Sequence, residues 1–394
     1  MNIIANSNYN YYIITIKLGI VILIIFVLKE GNQCYLTFGA EYAINKNSVW
    51  RINMTNRERV IKALNHEATE IVPFNADFTM QADDNMVEFT KNKDFKDDLD
   101  LHLNYIQYWG WPTNSVEQPD HFKDTFGIVW DRSGADKDIG MPVEKVITDF
   151  DNIDYVFPEI DEARLRAEYD ELMKNREGKF TFGGIGFSMF ERAWSLAGMP
   201  EVLMAMVMNP EGLHKLFEMI TDYNCKVLDI VLEYDLDGFY FGDDWGQQKG
   251  LIMGPDYWRQ FIKPHMKRMY DKVKAKGLYV LQHSCGDVES IFDDLIEIGL
   301  DCYQTFQPEI YDIVAVKEKF GDRLAFWGGI STQQLLPKES AEVVQAETAR
   351  IMKIMSKNGG YIAAPTHALE FDAPPENILA MFEVFKNQEK FLKD

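Results

Sequence analysis

The sequence predicts a single large α/β domain built as a closed (β/α)8 (TIM) barrel. After residue 54, short apolar runs alternate with long amphipathic stretches, the pattern of repeated βα units. No glycine-rich dinucleotide-binding motif follows any apolar run, which favours a closed barrel over an open doubly wound sheet. The 394 residues suffice for one barrel, which needs roughly 250. A hydrophobic content of 46% supplies its core.

Seven apolar runs are the predicted barrel strands, and helical segments separate the last four of them. The runs are residues 71–77, 180–186, 238–243, 278–283, 300–305, 324–329 and 360–365. Residues 288–298 and 341–356 are two of the helices predicted between them, because their apolar residues recur at helical spacing.

An eighth strand is expected between residues 78 and 180, where the pattern is broken. This region is rich in aromatic residues, among them Tyr105, Tyr108, Trp109, Trp111 and Trp130. We interpret it as an insertion packed over one end of the barrel and not as a second domain.

Residues 1–53 differ from the rest of the chain and are treated as a separate segment. Residues 11–28 are almost continuously apolar, with Lys17 the only charge, and as a helix they would reach roughly 27 Å, the lower limit for a membrane span. A single-pass anchor, a hydrophobic leader and a mis-assigned upstream extension are the three interpretations. The last two are favoured, because a helix-capping pattern begins at Thr55 and Glu58. We therefore assign the barrel to residues 54–394, and expect membrane association only if residues 1–53 are a genuine anchor.

The charge of the chain excludes several classes of partner. It has 40 basic and 62 acidic residues, a net charge of −22. Nucleic acids and anionic membrane surfaces are disfavoured, because both require clustered Lys and Arg, and polyanionic substrates are disfavoured for the same reason. Four cysteines in a chain of this length do not form a disulfide framework. We therefore expect a reducing, cytoplasmic location.

His283 and Cys285 close the predicted strand 278–283 and are the first candidates for metal ligands. The functional residues of a TIM barrel lie at the C-terminal ends of its strands. In extended backbone, residues two apart project from the same face, and an imidazole with a thiolate suits zinc. A buried Cys beside a hydrogen-bonded His, or a Cys/His hydrolase dyad, are the alternatives. His367, after the last predicted strand, is the candidate third ligand, or else an orienting or substrate-contacting histidine.

Other predicted strands also end in polar residues. Asp243 and Asp244 close the strand 238–243, and either could be a metal ligand, an anchor for a zinc-bound histidine or a general base; a helix N-cap is the alternative. Asp77, Gln307 and Trp327 lie at the ends of three further strands and are the candidate substrate-binding residues.

Several motifs, in the same order along the chain, resemble the uroporphyrinogen decarboxylase-like superfamily. They are Met54-Thr55 with Arg57-Glu58-Arg59-Val60 leading to Val72-Pro73, Gly242-Asp243-Asp244-Trp245-Gly246-Gln247-Gln248, His283-Ser284-Cys285-Gly286, Trp327-Gly328-Gly329-Ile330 and Pro374-Pro375-Glu376-Asn377. The resemblance extends from Met54 almost to the C-terminus, and it implies a (β/α)8 barrel.

The resemblance leaves two activities open, because this superfamily shares a fold but is divided in chemistry. One branch decarboxylates the acetate arms of a tetrapyrrole without metal or cofactor, and it grips carboxylates with an arginine-bearing loop after its first strand. The other branch is similar to methylcobamide:coenzyme M methyltransferases. There a His-x-Cys pair and a later Cys hold zinc, and the zinc activates a thiol that exchanges methyl with a corrinoid.

The chain is more similar to the methyltransferase branch. His283 and Cys285 match its zinc pair, whereas His367 stands where the methyltransferases have Cys. No arginine lies between Arg59 and Arg132, so the carboxylate-gripping loop is missing. The resemblance implies a zinc-dependent methyltransferase that moves a methyl group between a corrinoid protein and a thiol or other small methyl donor or acceptor. The corrinoid is expected on a partner protein, since the chain has no Asp-x-His-x-x-Gly motif. The alternative activity is uroporphyrinogen decarboxylase.

Overall fold

The computed structural model divides the chain into two compact units, Met1–Thr55 and Asn56–Asp394. It describes residues 2–6, 11–18, 21–30, 33–39, 50–51, 54–115, 119–134 and 138–392.

The described backbone of the first unit is an antiparallel sheet. Its strands, in sheet order, are Asn2–Asn6, Tyr11–Leu18, Val21–Glu30, Gln33–Gly39 and Trp50–Arg51. Residues 11–18 and 21–28, which belong to the apolar run considered as a possible membrane helix, lie in two paired strands. Among the described residues, no helix combines the length and the apolar character needed to cross a bilayer.

The second unit is the predicted (β/α)8 barrel. Its seven parallel strands are Leu103–Tyr108, Phe180–Ile185, Gly238–Gly242, Tyr279–His283, Cys302–Phe306, Ala325–Ile330 and Tyr361–Pro365. Strands that are neighbours in this series also pair in the sheet. The strand expected between residues 78 and 180 is Leu103–Tyr108. Five of these seven strands are buried along their whole length, because helices cover one face and the barrel interior the other.

The segment around Phe74 fills the eighth position of the barrel, where the sequence predicts the first strand. It is bridged to the last strand through Phe74 and Ala363, and the Ala363 N–H donates to the Pro73 carbonyl at 2.8 Å. On its other side the His102 N–H donates to the Phe74 carbonyl at 3.2 Å. Pro73 has no N–H to donate, so the segment carries a sparse hydrogen-bond ladder and forms a bridge in place of a full strand.

His102 links the Phe74 segment to the start of the strand Leu103–Tyr108, where the barrel closes. Its Nδ1 accepts a hydrogen bond from the Phe74 N–H at 3.3 Å, and the two rings pack with centroids 4.2 Å apart. Burial lowers the pKa of His102 from 6.5 to about 4. Between these two values the unfolded chain binds a proton that the folded chain does not, so the free energy of unfolding falls as the pH falls.

When the pH is lowered from 7 to 5, we expect protonation of His102 to lower the free energy of unfolding of the wild type by about 2 kcal/mol. The His102→Asn variant keeps an acceptor for the Phe74 N–H but does not titrate. Its free energy of unfolding should therefore fall by about 2 kcal/mol less than that of the wild type over the same pH range. Urea unfolding at both pH values measures the difference. The same pH dependence in both proteins would contradict this role of His102.

Helices follow the strands and cover the outside of the barrel. The α-helices of the described residues are Asn56–Leu64, Met80–Thr90, Glu162–Lys174, Phe190–Ala197, Met199–Met208, Pro210–Val231, Pro255–Tyr257, Lys263–Lys274, Phe292–Glu297, Ile313–Phe320, Leu335–Lys338, Ala341–Met355, Pro375–Lys386 and Gln388–Phe391. The described residues also form two short 3-10 helices, Phe95–Leu99 and Glu289–Ile291, and one π-helix, Trp258–Ile262. The helix predicted over residues 341–356 is confirmed, and the one predicted over 288–298 is shorter, at Phe292–Glu297.

The aromatic-rich region after the strand Leu103–Tyr108 forms a small antiparallel sheet. Its strands are Pro112–Ser115, His121–Asp124, Val129–Asp131 and Met141–Pro142. The Asp124 carboxylate holds its turn together by accepting from the Phe126 N–H at 2.8 Å and from Trp130 Nε1 at 2.9 Å. The insertion lies over the C-terminal end of the barrel, because Phe122 and Trp130 line the cavity that opens there.

Candidate active site

A cavity of about 730 Å³ lies at the C-terminal end of the barrel strands. Its barrel-side lining includes Tyr105, Gln107, Tyr240, His283, Gln304 and Trp327. The insertion supplies the facing wall. This is the end of a TIM barrel at which catalysis takes place.

His283, Cys285 and His367 meet at the edge of this cavity. Their ligand atoms all lie within 4.8 Å of one another, and His283 Nε2 is 3.6 Å from Cys285 Sγ. The two imidazole rings have centroids 5.8 Å apart. In a tetrahedral zinc site with bonds of about 2.0–2.3 Å, neighbouring N and S ligands are about 3.5 Å apart. The three residues, which we call the ligand triad, therefore fit zinc in both donor chemistry and spacing.

The barrel architecture explains why these three residues converge. His283 ends its strand, and Gly286, with a φ of +78°, makes the sharp turn that follows Cys285. A Cβ at Gly286 would lie 2.2 Å from the Gly246 carbonyl carbon, so only glycine permits this close approach. His367 lies two residues beyond the last strand, and the ends of non-adjacent strands both face the mouth of a closed barrel.

Gln304 fixes the orientation of the His283 ring. His283 Nδ1 is hydrogen-bonded to Gln304 Oε1, which also accepts from the Tyr240 hydroxyl at 3.1 Å. An amide oxygen only accepts, so Nδ1 carries a proton, and Nε2 is the nitrogen that would coordinate a metal after losing the proton that it shares with Asp244. Gln304 is not among the site residues predicted from the sequence. Its position within the strand that follows His283 was the only available signal.

Asp244 lies beside the triad, as the sequence predicts for one of the two neighbouring acids. Its Oδ1 is 3.3 Å from His283 Nε2 and accepts from the Cys285 N–H at 2.7 Å. Burial acts to raise the pKa of Asp244, but the hydrogen bond and charge of His283 and the Cys285 N–H outweigh burial and lower the pKa to about 2. Asp244 is therefore ionised at neutral pH.

Asp243 has a different environment from Asp244. It is fully buried, and its carboxylate accepts from the backbone N–H groups of Met189, Phe190 and Glu191 at 2.8–3.2 Å and from Trp245 Nε1. It does not line the cavity. The helix-capping alternative thus describes Asp243, which caps the helix Phe190–Ala197 from a neighbouring strand. Of the two predicted catalytic acids, we place only Asp244 in the site.

The three candidate substrate-binding residues lie in two different places. Asp77 and Trp327 line the cavity described above. Gln307 lines a second cavity, of about 690 Å³, where it donates to Gln333 Oε1 at 3.1 Å. The second cavity is bordered by Cys285 and His367, whereas the first is bordered by His283 and His367. The ligand triad therefore lies between the two cavities.

Glu191 is a cavity residue that the sequence analysis missed. It is buried at the start of the helix Phe190–Ala197 and lines the first cavity. Burial, and after it the charges of Asp244 and Asp243, raise its pKa well above the ordinary value. Glu191 lies six residues beyond the end of its strand, so no strand-end signal points to it.

The fold and the site together define a TIM-barrel protein of enzyme type, with a group of potential metal ligands at the catalytic end of the barrel. Comparison with known proteins identifies the family. Residues 137–388, more than half of the chain, match the family described as uroporphyrinogen decarboxylase (URO-D). The chain belongs to this family.

The individual proteins that the chain resembles have two different descriptions. Two curated uroporphyrinogen decarboxylases, from two strains of Thermus thermophilus, are each 24% identical over 187 residues, 46% of this chain and 51% of theirs. The chain thus spans about half the length of these relatives. A solved structure described as a methyltransferase from Methanosarcina mazei superposes with a TM-score of 0.62 at 18% identity, and the match covers 86% of this chain and 100% of that one. That likeness shows a common fold.

Proposed function

We propose that this protein is a zinc-dependent methyltransferase that moves a methyl group between a corrinoid protein and a small thiol. The observation that carries the proposal is the convergence of His283, Cys285 and His367 at the edge of the barrel cavity. Three protein ligands would leave one position of a tetrahedral zinc ion open, as in catalytic zinc sites. Zinc held there would supply Lewis-acid chemistry, lowering the pKa of a thiol so that the thiolate forms at neutral pH.

The neighbouring residues support this role by positioning the ligands. Gln304 holds the His283 ring so that Nε2 faces the other two ligands, and Asp244 holds the Cys285 backbone. Among the roles that the sequence leaves open for Asp244, we favour positioning of the ligands, because its carboxylate accepts from the Cys285 N–H at 2.7 Å.

Two substrates can reach the triad because a cavity borders it on each side. The aromatic cavity beside His283 suits the small molecule. The second cavity, beside Cys285, is lined by the exposed amides of Gln247, Gln248 and Gln333. We propose that the partner protein presents its corrinoid from that side. Residues 54–394 would form the catalytic domain and residues 1–53 a leader or upstream extension, in a cytoplasmic protein.

The first experiment is zinc analysis of the full-length protein, together with an assay of methyl transfer from methylcobalamin to 2-mercaptoethanol. We expect about one zinc per chain, and transfer that is lost with a chelator and restored by zinc. A folded protein that takes up no zinc would contradict the proposal.

Decarboxylation of uroporphyrinogen is the alternative, because the curated relatives carry that name. The cavity disfavours it. Carboxyl groups of Asp77, Asp124, Asp138, Glu191, Asp244 and Glu370 line the cavity. A tetrapyrrole with eight carboxylates would be repelled by them. Loss of acetate carboxyl groups from uroporphyrinogen, unaffected by a chelator, would favour the decarboxylase over the methyltransferase.

Removing the amide of Gln304 is expected to weaken zinc binding, although Gln304 is not a ligand. In Gln304→Leu the His283 Nδ1–H loses its acceptor, and we expect zinc affinity to fall about 10–100-fold. Gln304→Glu restores an acceptor and should retain most of the affinity. Competition with a chromophoric chelator measures both. Unchanged affinity in Gln304→Leu would contradict the positioning role of Gln304.

A further inference from the structure

We infer that the small thiol substrate carries a positively charged, amine-derived head group. This inference rests on the proposed function, and it names the class of molecule that the cavity beside the ligand triad takes. Three features of the cavity support it: an excess of carboxyl groups, a floor of aromatic rings, and a buried oxygen that accepts no hydrogen bond from the described residues.

The carboxyl groups greatly outnumber the basic groups. Six Asp and Glu residues line the cavity, whereas Arg132 is the single Lys or Arg among the described residues of its lining. A second arginine, Arg192, is buried behind the wall, with Nη1 3.8 Å from Asp124 Oδ2. Burial raises the pKa of Glu191 and of Asp77, and when both are left out, four carboxyl groups still outnumber the two arginines. Such a cavity favours cations and disfavours sulfonates and carboxylates.

Three aromatic rings form the floor, with Trp327 set edge to face against Tyr105 and Tyr240. The Trp327 ring makes an angle of 86° with Tyr105 and of 63° with Tyr240, with centroids 6.0–6.1 Å apart. Aromatic walls of this kind bind alkylammonium groups through the negative faces of the rings. The adjoining insertion already uses this interaction, because the Arg132 guanidinium lies 4.1 Å from the centroid of the Phe122 ring.

Gln107 adds a polar contact for the head group. It lies two residues from Tyr105 on the same strand, so both side chains face the barrel interior. Its Oε1 is buried and has no hydrogen-bond donor among the described residues. A buried acceptor without a partner is costly, and the N–H of an ammonium group would satisfy it. Asp77 also lines the cavity and is hydrogen-bonded to Tyr105. Burial raises the pKa of Asp77, and an ammonium group bound beside it would favour the ionised carboxylate, which then supplies the opposing charge.

The reaction places the two ends of such a substrate in opposite directions. The thiol loses its proton, and its sulfur then bonds the methyl carbon of the methylcorrinoid. The electron pair of the Co–C bond remains on cobalt, giving Co(I) and a methyl thioether. The sulfur must therefore point to the triad, and the head group points into the carboxylate-lined, aromatic part of the cavity.

A matched series of thiols tests the inference on the zinc-loaded, full-length protein. Each has the form HS–CH2–CH2–X, with X a trimethylammonium, ammonium, hydroxyl or sulfonate group, and methylcobalamin is the methyl donor. We expect kcat/KM for both cationic thiols to exceed that of the hydroxyl compound at least about 10-fold, with the sulfonate the poorest. Equal values for all four, or a preference for the sulfonate, would overturn the cationic head group and leave the methyl transfer itself intact.

Binding without chemistry separates this inference from the proposed function. Choline and 3,3-dimethylbutan-1-ol have the same shape and differ in charge, and calorimetry can compare them even if no thiol is methylated. We expect choline to bind at least about 10-fold more tightly. Equal affinities would overturn the inference whatever the outcome of the transfer assay.

An isosteric variant tests whether the Asp77 carboxylate supplies the negative charge next to the cation. Asp77→Asn removes the carboxylate but keeps an acceptor for the Tyr105 hydroxyl, and it should reduce the preference for choline over its neutral analogue at least about 3-fold without loss of zinc. Asp97→Asn is the matched control, because Asp97 is exposed and does not line the cavity. An unchanged preference in Asp77→Asn would contradict the electrostatic basis of the inference.

Discussion

Replacing Cys285 by Ser is expected to remove bound zinc and methyl transfer together, the largest functional effect that the site predicts. Cys285 supplies the only sulfur of the ligand triad, 3.6 Å from His283 Nε2. A serine hydroxyl stays protonated at neutral pH and is a poor zinc ligand, so we expect affinity to fall more than about 100-fold. Zinc content after dialysis and transfer from methylcobalamin measure the two losses.

Cys225→Ala is the matched control for the loss of a thiol. Cys225 is a free, buried cysteine in the helix Pro210–Val231 and lines neither cavity. This variant should keep its zinc and its activity. A Cys285→Ser protein that retains one zinc per chain after dialysis would show that Cys285 is not a ligand.

Replacing Asp243 by Ala is expected to give the largest loss of stability among the residues near the site. Four donors, three from the start of the helix Phe190–Ala197 and one from Trp245, lose their common acceptor in a fully buried position. We expect the free energy of unfolding to fall by about 3–5 kcal/mol. Urea unfolding of both proteins measures it.

Asp244→Ala is the matched comparison and should behave in the opposite way. Asp244 is partly exposed at the cavity, so its removal should cost less stability than that of Asp243, about 1–2 kcal/mol. It holds the Cys285 backbone, so zinc affinity should fall about 10–100-fold. Full stability in Asp243→Ala, or full zinc affinity in Asp244→Ala, would contradict the division of roles between the two acids.

Most of the barrel could be predicted from the sequence because its strands are buried on both faces and read as continuous apolar runs. Two strands were harder for physical reasons. The segment at Phe74 follows Pro73, which removes a donor from the ladder. The strand Leu103–Tyr108 is interrupted by the polar residues Asn104 and Gln107, so it lacks a continuous apolar run.

The candidate site was predictable where its residues are close in sequence or end a strand. His283 and Cys285 share a spacing that suits zinc, and His367 follows the last strand. Gln304 and Glu191 could not be assigned, because their contacts with His283 and Asp244 depend on the pairing of separate strands and on a helix start. The choice between Asp243 and Asp244 was also beyond sequence reasoning, since both follow one strand and the local turn decides which of them faces the cavity.

We propose that His283, Cys285 and His367 hold a zinc ion with one position left for a thiol. X-ray absorption at the zinc K edge of the full-length protein supplied with zinc reports the ligands themselves. We expect one sulfur at about 2.3 Å and nitrogen ligands at about 2.0–2.1 Å, with a second sulfur when a thiol substrate is added. A folded protein that binds no zinc, or a zinc shell without sulfur before the thiol is added, would show that the ligand triad is not a zinc site.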